Sequence, residues 1–291
     1  MDISKNLNIR ILGVGKVGMS IVQAFAQAGF KVRGVDIDQA NLDQGLERAK
    51  GNLQYLVGKK KISPQDMEAI LSRISLSTDL TAMADADVVI EAVFENMAVK
   101  KEMFAKLDRT VTSPEALLLT NTSSLSVSEI ASATKRPQQV AGMHFFNPVP
   151  VMKLVEVVRG VMTSQDTLRQ VKELALLMGK TPIVAADSPA FIVNRMLNAL
   201  VVEAARIVEE GVGTVQDVDT GAKLGLGHPM GPLELFDYLN AIGLLNHVTE
   251  YMSEELGDRF RLPVWVKNLV RAGKTGRAAG KGFYDYSAAE K

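Results

Sequence analysis

Residues 8–36 read NIRILGVGKVGMSIVQAFAQAGFKVRGVD, and this stretch predicts the fold of the chain. A short apolar run, Asn8 to Leu12, precedes a glycine cluster, and residues 20–29 are rich in helix-forming side chains. A second apolar run, Lys31 to Val35, ends at Asp36. This order of strand, helix and strand is typical of parallel pairing in an α/β domain.

The glycine cluster matches the dinucleotide-binding pattern G-x-G-x-x-G at Gly13, Gly15 and Gly18. In such a loop the first glycine permits a tight turn, the second lets backbone N–H groups approach a pyrophosphate, and the third lets the helix pack closely on the strand. Asp36 is placed to accept hydrogen bonds from the adenosine ribose hydroxyls. Because a carboxylate there would repel a 2′-phosphate, we expect NAD rather than NADP. A glycine-rich turn without a ligand is the alternative.

The strand pattern continues to about residue 186, and helical periodicity replaces it after Pro189. We therefore predict an α/β fold with a Rossmann-type, doubly wound sheet of about seven or eight strands. The expected domains are an NAD-binding domain at residues 1–187 and an all-helical C-terminal domain at residues 188–291. Within the second, residues 191–211 read as one long helix that stops at Gly211.

Composition excludes several kinds of site and partner. The chain has 291 residues, and Lys plus Arg equals Asp plus Glu at 33 each, so the basic excess of a nucleic-acid-binding protein is absent. With no cysteine and three histidines, we expect no disulfide and no metal centre. No apolar run reaches the roughly 18 residues that span a bilayer. No targeting segment is visible, so we expect a cytoplasmic protein without a membrane partner.

Two titratable residues stand in neighbouring apolar strands. His144 ends the run at residues 139–145, and Glu156 lies inside the run at residues 153–158. Because an ionised carboxylate is costly to bury alone, Glu156 needs a partner, and His144 is the available one. A glutamate orients the imidazole and raises its basicity, which suits removal of an alcohol proton while a hydride leaves the same carbon. A structural His–Glu pair is the alternative, and the upstream glycine loop favours catalysis.

Two further polar positions are candidates for the site. Ser123 follows the predicted strand at residues 116–120, and ligands bind at the carboxyl ends of strands in open α/β sheets. Its hydroxyl can bond a substrate oxygen, whereas a simple helix N-cap at Ser124 or Ser126 fits this segment equally well. Asn194 lies among apolar residues of the long helix, where an amide needs a partner in the site or at a domain interface.

These motifs, in order along essentially the whole chain, resemble the L-3-hydroxyacyl-CoA dehydrogenase family. The most specific part is residues 144–156, HFFNPVPVMKLVE. The chain length is close to that of the single-function bacterial 3-hydroxybutyryl-CoA members. Besides the glycine loop and Asp36, the resemblance is carried by EAVFEN (91–96), NTSSL (121–125), FIVNR (191–195), HPMGPLEL (228–235) and GKGFY (280–284).

The resemblance implies reversible hydride transfer between NAD and an (S)-3-hydroxyacyl-CoA such as 3-hydroxybutyryl-CoA, in fatty acid and butanoate metabolism. It implies His144 as the general base and Glu156 as the residue that orients it. Ser123 and Asn194 then contact the 3-oxygen of the substrate and the region of the catalytic histidine. The family also implies that the helical domain at residues 188–291 contributes to substrate binding and forms a homodimer through its helices.

Binding positions follow from the same resemblance. The CoA contacts lie on the helix after Asp36, at Asn52 and at Lys59. The positions that line NAD are Gly13, Val14, Gly15, Lys16, Val17, Gly18, Asp36, Glu95, Lys100, Asn121, Ser123 and Asn147.

Three departures from the family pattern concern binding. Asn52 stands where some relatives carry a serine near CoA. Lys16 and Val17 replace the usual Thr-Met, and the lysine either adds charge near the pyrophosphate or faces solvent. Ala278 replaces a lysine that contacts the nicotinamide side, with Arg277 as a candidate substitute.

Two other functions stay open from sequence. The first is a dehydrogenase of the same fold that acts on a small free hydroxy acid or sugar acid, against which the CoA-type block and the lysines at 59–61 count. The second is a catalytically silent NAD-binding or assembly protein, against which the retained His144, Glu156, Ser123 and Asn194 count.

Overall fold

The computed structural model describes residues 1–287, and the chain forms two compact units, Met1–Ser188 and Pro189–Lys291. The first unit is built on one eight-stranded sheet, whereas the elements of the second are helical. The predicted α/β class, with a Rossmann-type sheet followed by a helical C-terminal part, is confirmed. Within residues 1–287, every helix is too short or too polar to cross a bilayer.

The strands of the first unit lie in the order β3-β2-β1-β4-β5-β6-β7-β8. All neighbours pair in parallel except β6 and β7, which are antiparallel. From β1 the chain adds β2 and then β3 on one side of the sheet. It then returns to place β4 beside β1 and adds β5 to β8 on the other side, so the direction in which strands are added reverses between β1 and β4. The strands are β1 Ile9–Leu12, β2 Val32–Val35, β3 Ile74–Ser77, β4 Val88–Glu91, β5 Leu117–Thr120, β6 Val140–Phe145, β7 Leu154–Arg159 and β8 Thr181–Ala186.

The central strands are buried and mostly apolar because helices cover both faces of the sheet. Every residue of β1, β4 and β5 is buried, as expected for parallel strands between layers of helices. The edge strands β3 and β8 keep several residues partly or fully exposed. The helices of this unit are α1 Lys16–Gln27, α2 Gln39–Gly58, α3 Pro64–Leu71, α4 Met97–Thr110, α5 Val127–Ala131 and α6 Gln165–Leu177.

In the second unit, residues 189–287 form five α-helices, which pack around a core that includes Val201, Leu233 and Val266. Its long helix stops where glycine predicts, since Gly211 takes a left-handed conformation at φ 71° after Glu210. The predicted start at residue 191 is wrong by two residues, because Ala190 and Phe191 both have positive φ and cannot continue a right-handed helix. The helices are α7 Val193–Glu209, α8 Val215–Gly225, α9 Pro232–Tyr238, α10 Ile242–Leu256 and α11 Val264–Arg271.

Two buried carboxylates hold the end of the second unit. Asp219 accepts hydrogen bonds from the backbone of α9 and from the Tyr284 hydroxyl at 2.7 Å. Asp237 accepts from the backbone N–H groups of Phe283 and Tyr284 and from the Tyr286 hydroxyl. Burial raises the pKa of Asp237, although these donors oppose the shift. The segment around residues 283–286 is thereby attached to the helical core.

Candidate active site

The glycine loop joins β1 to α1 and uses its three glycines differently. Gly13 has φ 88°, and a Cβ there would lie 2.8 Å from the carbonyl oxygen of Ala92. A Cβ on Gly18 would lie 1.8 Å from the carbonyl oxygen of Gly13. A Cβ on Gly15, in contrast, would meet no atom within 4 Å. Gly13 and Gly18 are therefore required by packing, whereas Gly15 leaves open space at the first turn of α1.

Asp36 fixes this loop to the end of β2. One carboxylate oxygen accepts the backbone N–H of Val14 at 2.7 Å. The other accepts from the backbone N–H of Asp38 and from the side-chain amide of Asn41, both at 3.1 Å. A carboxylate offers about four acceptor positions, so Asp36 retains capacity for a ribose hydroxyl after these three bonds.

His144 and Glu156 face each other across the antiparallel pair β6–β7, where the register places them directly opposite. Nδ1 of His144 lies 2.7 Å from Oε2 of Glu156. Glu156 is fully buried and His144 is 5% exposed. The predicted pairing is therefore present, and the ring of Phe146 packs against the imidazole at a centroid distance of 4.6 Å.

A buried ion pair lies beyond β4. Lys100 is 1% exposed, and its ammonium donates to Glu91 Oε1 at 2.7 Å and lies 3.2 Å from Glu95 Oε2. The other oxygen of Glu95 accepts from the Thr122 hydroxyl and from the backbone N–H of Ser123 at 2.9 Å. Burial raises the pKa of Glu95, but Lys100 and these hydrogen bonds outweigh it and leave that pKa lowered. Lys100 thus points into the protein, and Glu95 fixes the backbone at Ser123.

Asn121 links the ends of two strands. Its backbone N–H donates to the carbonyl of Glu91 at 2.8 Å, in continuation of the β4–β5 ladder. Its amide oxygen accepts the backbone N–H of Phe145 at 2.9 Å. The chain itself therefore uses the amide oxygen of Asn121, which holds β6 in place one residue after His144.

These groups meet at one edge of the sheet because each follows the carboxyl end of a parallel strand. The switch point between β1 and β4 lies in their midst, and in open α/β sheets this is where ligands bind. The groups are the glycine loop after β1, Asp36 after β2, Glu91 to Glu95 after β4, Asn121 to Ser123 after β5, and His144 near the end of β6.

A groove of about 430 Å³ opens between α1, α2 and the connection from β6 to β7. Asn52 on α2 lines it and donates to the side-chain oxygen of Gln23 at 3.2 Å. Lys16, the first residue of α1, also lines the groove together with Arg48. Asn147 lies on the opposite wall with Pro148. Lys59 is exposed at the C-terminus of α2, with its ammonium 5.6 Å from the ring centroid of Tyr55.

Three positions singled out from sequence lie in the second unit. Asn194 is the second residue of α7, and its carbonyl accepts from the side chain of Asn198. Arg277 lies over the rings of Tyr238 and Tyr286, at 5.4 and 5.3 Å from their centroids, so aromatic contacts within this unit hold its guanidinium. The backbone N–H of Ala278 donates to Asn240.

Glu91 and Thr122 are parts of the site that are not among the residues predicted from the sequence. Glu91 carries the same signal as Glu156, because it is a carboxylate at the end of the apolar run of β4. It is fully buried, and the Thr120 hydroxyl donates to it at 2.7 Å. Thr122 gives no such signal, since a threonine in a loop is ordinary.

Comparison with known proteins matches both units to domains of the same protein family. Residues 8–188 match the family model described as 3-hydroxyacyl-CoA dehydrogenase, NAD binding domain. Residues 191–286 match the model described as 3-hydroxyacyl-CoA dehydrogenase, C-terminal domain. The chain is 44% identical over 279 residues to a probable 3-hydroxybutyryl-CoA dehydrogenase of Bacillus subtilis, and the match covers 96% of each chain.

Solved structures agree with the sequence matches. The crystal structure of (S)-3-hydroxybutyryl-CoA dehydrogenase from Ralstonia eutropha has a TM-score of 0.93 and 37% identity to this chain, with 97% of this chain and 99% of that chain covered. A 3-hydroxybutyryl-CoA dehydrogenase of Mycobacterium tuberculosis is 39% identical over 280 residues, which are 96% of this chain and 98% of that protein. The resemblance found in the sequence is confirmed, and the chain belongs to the 3-hydroxyacyl-CoA dehydrogenase family.

Proposed function

We propose that the chain is an NAD-dependent dehydrogenase that interconverts (S)-3-hydroxyacyl-CoA and 3-oxoacyl-CoA, with 3-hydroxybutyryl-CoA and acetoacetyl-CoA as its pair. The observation that carries the proposal is the His144–Glu156 pair, which lies at the sheet edge where the glycine loop opens. The reaction belongs to fatty acid and butanoate metabolism. We also propose that it takes place in the cytoplasm, where CoA thioesters and NAD are both available.

The first unit has the features that NAD requires. The open space at Gly15 leaves room for a pyrophosphate at the start of α1, where backbone N–H groups and the helix dipole favour negative charge. Asp36 retains capacity for a ribose hydroxyl, and Glu95 and Asn147 are proposed to border the ribose and nicotinamide. When bound, NAD supplies the hydride acceptor for oxidation and the hydride donor for reduction.

His144 moves the proton in this scheme. A carboxylate at Nδ1 favours the tautomer that carries its proton on that nitrogen, so Nε2 is the atom that accepts the hydroxyl proton of the substrate. Glu156 then stabilises the imidazolium, and in the reverse direction Nε2 returns the proton to the 3-oxygen. General acid–base help of this kind is worth roughly 10²–10⁴ in rate.

Ser123 and Asn194 are proposed to contact the substrate. Glu95 fixes the backbone of Ser123, and this places its hydroxyl in the loop after β5. A hydroxyl in that loop can donate to the 3-oxygen and polarise the carbonyl during reduction. The role of Asn194 rests on the family resemblance alone.

The groove between α1 and α2 favours a CoA thioester over a free acid. Lys16 and Arg48 line it, and Lys59 is exposed at the end of α2, so cations are available for the CoA phosphates. Asn52 adds a side-chain amide to the same wall. A small free hydroxy acid has a single carboxylate and no phosphates, so it would leave most of these cations unused, which argues against the first alternative.

The second unit is proposed to form a homodimer. An open cavity of about 320 Å³ there is lined mainly by apolar side chains, among them Leu200, Ile207, Val212 and Leu226. Val212 is 74% exposed and Leu226 is 68% exposed, and large apolar surfaces of this kind mark interaction sites.

Light scattering tests the proposed dimer. A measured mass twice that of the 31.5 kDa chain supports a dimer, and the mass of one chain contradicts it.

The activity is tested by following NADH absorbance. We expect the purified chain to oxidise NADH with acetoacetyl-CoA, to show little turnover with free acetoacetate, and to use NADPH poorly because of Asp36. Turnover of free acetoacetate at a similar kcat/KM would support the alternative of a small-acid dehydrogenase. No consumption of NADH with any acyl-CoA would support a silent NAD-binding protein.

The acid–base role is tested by His144→Ala and Glu156→Gln. We expect each to lower kcat by about 10²–10⁴-fold, since proton transfer loses its positioned group. NADH affinity, measured by fluorescence titration, should be unchanged. His247→Ala, at an exposed histidine on α10, is the control and should keep wild-type turnover. Near-normal turnover of His144→Ala would contradict the assignment.

The cofactor loop is tested by two glycine variants. Gly15→Ala should leave the free energy of unfolding within about 0.5 kcal/mol of wild type, because its Cβ meets no atom. It should weaken NADH binding about tenfold or more, where each tenfold step corresponds to roughly 1.4 kcal/mol of lost contact. Gly18→Ala should instead lower stability by about 1–3 kcal/mol or more through the clash with Gly13. Unchanged NADH affinity in Gly15→Ala would contradict the proposed pyrophosphate site.

A further inference from the structure

Lys180 is a buried lysine outside the groups used so far. It lies between α6 and β8 and is 8% exposed. Its ammonium donates to the carbonyl oxygens of Val149 at 2.5 Å and Met152 at 2.7 Å. In the part of the chain that the structure describes, no carboxylate forms an ion pair with it, and burial lowers the pKa of Lys180. The positive charge is therefore balanced by backbone carbonyls alone.

Such an arrangement is costly, because removing an ammonium from water is only partly offset by bonds to neutral carbonyls. A methionine of similar length would fill the same space without that cost. A lysine here thus points to a requirement for its hydrogen bonds, and both acceptors belong to the connection between β6 and β7.

This connection, residues 146–153, is held at several points. The backbone N–H groups of Val151 and Met152 both donate to the carbonyl of Pro148, at 2.9 and 3.0 Å. The backbone N–H of Thr181, the residue after Lys180, donates to the carbonyl of Lys153 at 2.7 Å. The ammonium of Lys180 adds two bonds to the interior of the turn.

The connection is also next to two parts of the site, the groove and the His144–Glu156 pair. Asn147 and Pro148, near its start, form one wall of the groove between α1 and α2. It joins the strand that carries His144 to the strand that carries Glu156. A displacement of the connection would move the groove wall relative to the imidazole.

We propose that Lys180 is a positioning residue, whose ammonium fixes the β6–β7 connection so that the groove wall at Asn147 and Pro148 aligns the acyl-CoA with His144. The inference rests on the proposed function, since it assigns the groove to the substrate. Lys180 acts through the backbone of Val149 and Met152 and does not touch the reacting atoms.

The test uses Lys180→Met, which removes the donor and keeps all but one heavy atom of the side-chain length, and Lys180→Arg, which retains N–H donors. Lys172→Met, at an exposed lysine on α6, is the matched control. Steady-state constants for acetoacetyl-CoA and NADH are measured well below the unfolding temperature of each variant. Hydrogen exchange of residues 146–153 is followed by mass spectrometry.

We expect Lys180→Met to lower kcat/KM for acetoacetyl-CoA by about 10–100-fold, the effect of a misplacement of about 1 Å. The rise in KM should be larger for this substrate than for NADH, because Asn147 is the one proposed NAD contact that lies on the connection. Exchange in residues 146–153 should become faster. Lys180→Arg should recover most of the loss, and Lys172→Met should match the wild type.

Lower thermal stability of Lys180→Met with wild-type kinetic constants would reduce Lys180 to a structural residue and overturn the proposal. An equal rise of both KM values would do the same. If the wild type fails to turn over acetoacetyl-CoA, the proposed function fails by itself. The hydrogen-exchange measurement still decides on Lys180 in that case, because unchanged exchange in residues 146–153 overturns its role.

Discussion

The hydrogen bond between Nδ1 of His144 and Oε2 of Glu156 is the interaction on which the rest of the site depends. Glu156 is fully buried in a strand with neighbours on both sides, where an unpaired carboxylate would be strongly destabilising. The antiparallel register of β6 and β7 removes this problem by placing the imidazole directly opposite. Among the paired strands of this sheet only β6 and β7 run antiparallel. A short connection, residues 146–153, joins them, so His144 and Glu156 are brought together by a local turn of the chain.

The remaining groups reach the imidazole through the topology of the parallel strands. The glycine loop, Asp36 and the segments after β4 and β5 all follow carboxyl ends, so the sheet brings them to one edge without long loops. Polar contacts between these segments then fix the fine position. Asn121 bonds the backbone beside His144, and Lys100 holds Glu95, which holds Ser123.

Much of this arrangement can be predicted from sequence because its signals are local. Three glycines at fixed spacing indicate the loop, and a carboxylate within an apolar run indicates the buried pair. The sequence does not delimit the edge strands β3 and β8, since β3 has a serine at every second position and β8 begins with Thr181 and Pro182. The start of α7 was misplaced because the positive φ values of Ala190 and Phe191 give no compositional signal. The inward direction of Lys100 and the contacts of Lys180 depend on residues distant in the chain, which a single sequence does not pair.

The claim that Nε2 of His144 exchanges the proton is tested most directly by ¹⁵N NMR of the imidazole rings at a pH where they are neutral. The chain has three histidines, so His144 is assigned by comparison with His144→Ala. The account predicts that Nδ1 of His144 carries the proton and that Nε2 gives the signal of an unprotonated ring nitrogen. A proton on Nε2, with Nδ1 unprotonated, would contradict it.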